Sequence, residues 1–163
     1  MQPILPVAQR GEAILKLKAA AVAESEFNSP WLLHLAEALQ ATMLARNGVG
    51  IAAPQVYVSK RVIIVASRPN PRYPDAPEMQ PVVMINPEIY AQSEHLCLGE
   101  EGCLSVPDQR AQVARAEQIQ LRYFTLQGQL IEATYTGFIA RIVQHEIDHL
   151  DGILFVDRVT SSD

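Results

Sequence analysis

Two histidines four residues apart, with a glutamate between them, are the residues of this chain best suited to metal chemistry. His145-Glu146-Ile147-Asp148-His149 has the pattern H-E-x-x-H. On a helix, positions i and i+4 share one face, so both imidazoles can bind one ion while Glu146 reaches a water on that ion. The structural alternative is two core histidines beside a surface glutamate. Burial of three such groups without ligands or partners costs free energy, which favours the metal site.

Two histidines leave the site incomplete, because a catalytic ion needs a third protein ligand and an open position for water. Downstream, Phe155 stands where one class of zinc proteases has a third histidine, and residues 150–163 contain no glutamate. Asp157 is a weak candidate there. Upstream, Cys103 is the leading candidate and Cys97 its rival. A lone cysteine is more often a small buried apolar residue, so the prediction for Cys103 depends on the histidines.

The element that must position these side chains is a helix predicted from about Gly137 to Leu150, with Thr136 as its N-cap and Gly152 just past its end. Apolar residues cover most of its circumference, which indicates burial on most sides. Its polar stripe is narrow and consists of Arg141, Gln144 and Asp148.

Periodicity and turn residues predict the other elements. A helix is predicted from Pro30 to Arg46 with Ser29 as N-cap, and another within Ala13–Ala23. Gly48–Gln55 and the proline-rich segment Ser67–Pro81 are predicted loops. The predicted strands are Val62–Val65, Val82–Ile85 closed by Asn86-Pro87, and the hairpin of Gln118–Phe124 with Leu130–Tyr135.

Composition limits the classes of function. A length of 163 residues fits one domain, and 48% apolar residues allow a sizeable core. A net charge of −5 without a basic block disfavours nucleic acid and anionic membranes as partners. We expect no membrane span and no signal peptide. Two cysteines are too few for a disulfide framework, so we expect a cytoplasmic protein.

Three motifs together resemble the peptide deformylases. They are Gly48-Val49-Gly50-Ile51-Ala52-Ala53-Pro54-Gln55, then Glu101-Gly102-Cys103-Leu104-Ser105, then His145-Glu146-Ile147-Asp148-His149. The resemblance extends from about Pro3 to Val159, with an insertion at Ser67–Pro81. It implies an α+β fold over residues 1–163, a single catalytic domain with antiparallel strands in small sheets around a buried C-terminal helix that carries H-E-x-x-H.

The resemblance also implies an activity and residue roles. The expected reaction is removal of the N-formyl group from the formyl-methionine of newly made polypeptides, with release of formate. Cys103, His145 and His149 would hold one divalent ion, and Glu146 would act as general base and then as acid. The side-chain amide of Gln55 and the backbone N–H of Leu104 are the expected donors to the oxyanion.

The expected substrate-binding residues are Gly50, Ile51, Arg110 and Ile142, with Arg110 contacting a substrate carbonyl. The resemblance implies Fe²⁺ in the cell, and Zn²⁺, Ni²⁺ or Co²⁺ in purified protein. Some relatives dock on the ribosome through a basic C-terminal helix. Because this chain ends at Asp163, we expect any transient ribosome contact to use another surface.

Two other functions remain compatible with the residues. A metalloprotease or another amidase could use the same ligands. A metal-stabilised binding module without turnover is the third hypothesis, although a structural site has a fourth protein ligand and no use for Glu146.

Overall fold

The computed structural model describes residues 4–159, and most of its strands form one antiparallel sheet in the order β1-β2-β3-β6-β7. A separate hairpin is formed by β4 and β5. The helices are α1 (Pro30–Ala45) and α2 (Gly137–Leu150), with 3-10 turns at Ala13–Lys16, Glu24–Glu26, Ala53–Val56 and Phe155–Arg158. The strands are β1 (Gly50–Ala52), β2 (Val62–Val65), β3 (Val82–Gln92), β4 (Leu96–Cys103), β5 (Val106–Ala116), β6 (Gln118–Phe124) and β7 (Leu130–Thr136).

Strand β2 is apolar throughout because helices cover both faces of the sheet. Val62 and Ile64 point into a core shared with α1. Ile63 and Val65 point the other way, into a core shared with α2. Successive side chains of a strand face opposite sides, so a strand buried on both faces has no polar positions.

Helix α2 lies between the sheet and the β4–β5 hairpin, and its polar stripe is buried along with its apolar face. Arg141 and Asp148 are only 8% and 7% exposed. Arg141 donates from Nη2 to the carbonyl of Cys97 (2.7 Å) and from Nη1 to the carbonyl of Val113 (2.9 Å). The predicted α+β fold around a buried C-terminal helix is therefore confirmed.

The two N-terminal helix predictions have different outcomes. Helix α1 begins at Pro30 as predicted, and the side chain of Ser29 accepts a hydrogen bond from the N–H of Leu32. The helix predicted within Ala13–Ala23 is wrong, because only the 3-10 turn forms there. The backbone after this turn forms hydrogen bonds with distant segments instead. For example, the N–H of Ala19 donates to the carbonyl of Leu150 at 2.8 Å.

Strand β3 corrects the prediction that Asn86-Pro87 closes a strand at Ile85. The strand continues to Gln92, with a bulge between Ile85 and Glu88. Asn86 adopts φ 51°, and its side-chain amide bonds to both backbone groups of Val22 at 2.8 and 3.0 Å. A dipeptide typical of turns is thus accommodated as a bulge.

Two further local results concern the elements that support the site. Strands β4 and β5 were not predicted, since half of each faces solvent and carries charged or small residues. Thr136 precedes α2 as predicted but makes no capping hydrogen bond.

Within residues 4–159, neither helix combines the length and apolar character needed to cross a bilayer.

Candidate metal centre and active site

The structure brings the side chains of Cys103, His145 and His149 together. All three are buried, and one potential ligand atom from each lies within 4.8 Å of the others. Helix α2 supplies the two imidazoles one turn apart, and the last residue of β4 supplies the thiol, whose Sγ lies 3.3 Å from Nε2 of His149. Phe155, which cannot bind metal, stacks on the His145 ring.

The other candidate ligands lie elsewhere. Sγ of Cys97 is 2.8 Å from a carboxylate oxygen of Glu117 and is not part of the cluster. His34 and His95 are exposed, as expected. Among the described residues, the sulfur that joins the two histidines is therefore the predicted one.

The surroundings of Cys103 favour the thiolate, which is the form that binds metal. Burial opposes ionisation, but the charge of His149 and hydrogen bonds from both imidazoles lower the pKa of the Cys103 thiol well below its ordinary value. The N–H of Ser105 also points at the sulfur, at 3.4 Å.

The donor set fits a catalytic divalent ion. One thiolate and two imidazoles suit zinc and the later first-row metals, and three protein ligands leave a position open. Oε1 of Glu146 is buried beside these ligands and has no hydrogen-bond partner among residues 4–159. An unpaired buried carboxylate oxygen at such a site is what a water-activating group requires, so the residues present fit the metal.

Glycine is required at position 50 because Glu146 lies against it. A Cβ on Gly50 would lie 2.7 Å from Oε2 of Glu146 and 2.8 Å from Cγ2 of Ile142. The close approach leaves the carboxyl buried, and burial raises the pKa of Glu146 to about 7, although the charges of His145 and His149 oppose the rise. A carboxyl with a pKa near neutrality is suited to accept and return a proton.

Gln55 is held with its NH₂ group towards the metal centre. The predicted loop that contains it forms β1 and then the 3-10 turn Ala53–Val56. The N–H of Ala52 donates to Oε1 of Gln55 at 2.9 Å, and Nε2 donates to Oγ of Ser105 at 3.0 Å, with Sγ of Cys103 at 3.6 Å. The bond from Ala52 fixes which end of the amide faces the site.

Glu101 contacts His145, and the sequence did not predict this contact. Its Oε1 lies 2.9 Å from Nδ1 of His145, which leaves the other ring nitrogen for an ion. Its two oxygens also accept from Arg115 (2.9 Å each) and Arg141 (2.7 Å). Burial raises the pKa of Glu101, but these bonds and the His145 charge lower it well below its ordinary value.

The charged network continues to the C-terminal 3-10 turn. Arg115 donates from Nη1 to Oδ2 of Asp148 at 2.6 Å. Arg158 then contacts both oxygens of Asp148, at 2.5 and 3.0 Å. Helix α2 is thus held by the ion pairs of Asp148 as well as by the contact between His145 and Glu101. Glu101 belongs to the second motif of the sequence, but that motif carries no signal for the arginines that bond to it.

A pocket opens at the metal centre, and most predicted substrate-binding residues line it or its edge. Gly50 and Ile142 line it, as does Phe138. Ile51 does not, because its side chain is fully buried in the core against α1. Arg110 lies at the edge, where its Nε bonds to Glu100 at 3.0 Å.

Tyr73, from the proline-rich segment, also lines the pocket and was not predicted. Its ring packs on Phe138 at 4.8 Å between centroids and beneath the guanidinium of Arg110 at 4.9 Å. Its hydroxyl accepts a hydrogen bond from the N–H of Gly102 at 3.3 Å. The sequence of a proline-rich loop carries no signal for such a contact, which depends on where the loop folds back.

Comparison with known proteins matches this geometry to one family. A model of the family described as polypeptide deformylase matches residues 4–163. The chain belongs to the peptide deformylase family. A Nostoc sp. protein named peptide deformylase 2 is 51% identical, over 98% of this chain and 88% of that protein. A Shewanella oneidensis protein that is also named peptide deformylase 2 is 51% identical, over 94% of this chain and 83% of that protein.

Solved structures agree with this assignment. The Met-Ala-Ser-bound class I type b peptide deformylase from Acinetobacter baumannii has a TM-score of 0.96 and 69% identity, covering 98% of this chain and all (100%) of that one. The Thermotoga maritima peptide deformylase has a TM-score of 0.86 at 31% identity, covering 98% and 99%. This deformylase is thus a hydrolase that removes the N-formyl group from newly made polypeptides. The family is metal-dependent, and the Cys103–His145–His149 cluster is a possible metal site.

Proposed function

We propose that Cys103, His145 and His149 hold the ion and that the neighbouring residues carry out the proton transfers of deformylation. When bound, the ion would lower the pKa of a water and polarise the formyl oxygen. Cys103 contributes a thiolate that offsets the charge of a divalent ion. Glu101 sets the orientation of His145 by bonding to its Nδ1 at 2.9 Å.

Glu146 is the proposed general base. Its carboxylate accepts a proton from the attacking water and delivers it to the nitrogen that leaves as the new N-terminus. The proton therefore stays on the Glu146 carboxyl between the two steps. The proposed oxyanion donors are Nε2 of Gln55, oriented by Ala52, and the backbone N–H of Leu104.

The pocket lined by Ile142 and Phe138 is the proposed site for the methionine side chain. Gly50 contributes backbone at its wall, where a side chain would collide with Glu146 and Ile142. Ile51 contributes backbone only, since its side chain lies in the core. The Acinetobacter neighbour binds Met-Ala-Ser, a peptide that begins with methionine. We propose that this chain binds such a peptide with Arg110 beside the residues that follow the methionine.

Several finer properties are proposals on the same basis. Fe²⁺ is the proposed ion in the cell on the basis of the family resemblance, and a thiolate with two imidazoles also suits zinc, nickel or cobalt. Because nascent chains are the substrate, we propose a cytoplasmic location and a transient contact with the ribosome. We also propose that residues 1–163 fold as a single catalytic domain. Metal analysis of protein purified without oxygen tests the identity of the ion, and co-sedimentation with ribosomes tests the ribosome contact.

The single observation that carries the assignment of roles is the placement of buried Glu146 beside three converging ligand atoms. The test is formate release from a formyl-Met tripeptide by anaerobic protein loaded with Fe²⁺. We expect formate from this peptide and no cleavage of its acetyl-Met counterpart. Faster cleavage of the acetyl peptide, or of internal peptide bonds, would instead support a different amidase.

Glu101→Gln is expected to weaken metal binding by about 10- to 100-fold, because His145 loses the carboxylate that orients it. Arg115 and Arg141, which both donate to the Glu101 carboxylate, would also lose this negative partner. Competition with a chelator measures the affinity, and Glu132→Gln, at an exposed position of β7, is the control. Unchanged affinity in Glu101→Gln would show that the carboxylate does not position the ligand.

A further inference from the structure

A second pocket lies next to the methionine pocket and shares four of its lining residues, namely Arg72, Gly102, Cys103 and Leu104. We call it the arginine groove, because Arg46, Arg72 and Arg110 also line it. Among the described residues that line it there is no carboxylate. Three guanidinium groups at one opening are notable in a chain of net charge −5.

The arginines of the groove come from three separate segments. Arg46 follows the end of α1, Arg72 lies in the proline-rich segment, and Arg110 lies on β5. Arg46 and Arg72 are exposed, and Nη2 of Arg72 donates to the backbone carbonyl of Arg46 at 3.4 Å. The fold therefore holds these two guanidinium-bearing residues side by side at the groove.

The proline-rich segment that carries Arg72 is fixed at its base and to the site. Oγ of Ser67 donates to the carbonyl of Pro77 at 2.6 Å, which closes the loop. Arg68 donates to the carbonyl of Gly48 at 2.8 Å. Arg72 is thus presented by an anchored loop, which lowers the entropy lost when its side chain binds a ligand.

The positive charge of the groove is offset only in part. Arg110 pairs with Glu100 at 3.0 Å, and the two side chains are 30% and 53% exposed. An exposed pair of this kind leaves the guanidinium able to contact a further anion. Asp75 lines a different neighbouring pocket, which Arg72 also lines, and it does not line the arginine groove.

We propose that the arginine groove binds acidic side chains in the two residues that follow the N-terminal methionine of the substrate. This inference rests on the deformylase activity. With the formyl end at the ligands and the methionine in its pocket, we place the rest of the peptide along the arginine groove, which shares Gly102 and Leu104 with that pocket. Guanidinium groups pair with carboxylates in a planar, two-bond geometry, and they repel lysine and arginine side chains. The groove therefore sets a charge preference beyond the methionine.

The expected size of this preference is modest, because the groove is open to solvent. Each exposed ion pair is worth up to about fivefold, and more than one arginine is in reach, so we expect about three- to tenfold between acidic and neutral side chains. Basic side chains should be disfavoured relative to neutral ones by a similar factor. Salt should reduce both differences.

The experiment compares kcat/KM for the metal-loaded enzyme on formyl-Met-Glu-Ala and formyl-Met-Ala-Glu with the same peptides carrying Gln or Lys in place of Glu. We expect Glu to exceed Gln and Gln to exceed Lys at one or both positions in low salt. The double variant Arg46→Glu, Arg72→Glu should remove or reverse this order. Lys18→Glu makes the same type of charge change at an exposed residue outside the groove and should preserve it.

Two outcomes would overturn the proposal, and they differ in what else they affect. Equal kcat/KM for the Glu, Gln and Lys peptides would refute the proposed charge preference of the groove, and so would an acidic preference that survives in the double variant. In either case, formate release from the Gln peptides would still show that the enzyme is a deformylase. Failure of the metal-loaded enzyme to release formate from any of the peptides would refute the activity and, with it, the groove's role.

Discussion

Glu146→Gln is expected to leave the ion bound and to lower kcat by about 10⁴-fold, the upper end of what a general base contributes. Glutamine has nearly the same shape, so it can lie against Gly50 as the carboxyl does. It cannot accept a proton from water at neutral pH. Formate release from a formyl-Met tripeptide measures kcat, and metal content measured on the same sample shows whether the ion is retained.

The matched control for this variant is Glu94→Gln, in the exposed segment between β3 and β4. It makes the same chemical change and should keep full activity. If Glu146→Gln retained more than about a tenth of wild-type kcat, the proton would have to be transferred by another group. Loss of metal together with activity would instead mean that Glu146 supports the ligands.

Cys103→Ala is expected to abolish stoichiometric metal binding and all measurable formate release. The variant removes the one anionic ligand and leaves two neutral imidazoles, which bind divalent ions far more weakly. Metal content after gel filtration, measured on protein shown by circular dichroism to be folded, is the decisive quantity. The expected result is less than a tenth of the wild-type metal per chain.

Cys97→Ala is the internal control, because it removes the other sulfur of the chain. Its Sγ contacts Glu117 and lies apart from the ligand cluster. We expect normal metal content and activity from this variant. Metal loss in Cys97→Ala with retention in Cys103→Ala would reverse the assignment of the thiolate ligand.

The helical elements show how far local sequence determines structure. The α2 prediction from Gly137 to Leu150 agrees with the structure, because a long run of suitably spaced apolar residues specifies a buried helix with little help from context. The segment after Ala13 is also rich in helix-forming residues, yet it forms only a 3-10 turn and no α-helix. Its backbone groups find partners in other segments, and tertiary hydrogen bonds outweigh a weak local preference.

The β4–β5 hairpin shows the opposite case, in which local patterning is too weak to predict the strands. Its strands alternate buried and exposed residues only partly, and charged side chains such as Arg115 lie on the buried side. Burial of a charge is tolerated only where a counter-charge meets it. That partner, Glu101, lies on the other strand, so pairing of the two strands had to be known first.

By itself, the sequence identified the residues that we propose for the chemistry of the site: H-E-x-x-H on a helix, a cysteine in a second motif, and a glutamine at the end of a third. These residues are set by spacing and side-chain type, which a linear chain displays directly. Only the tertiary structure decided which groups surround them. Arg115, Arg141 and Tyr73 reach the site through long-range contacts. Ile51 turns away from it, because the side chain direction of a strand residue depends on which face its neighbours cover.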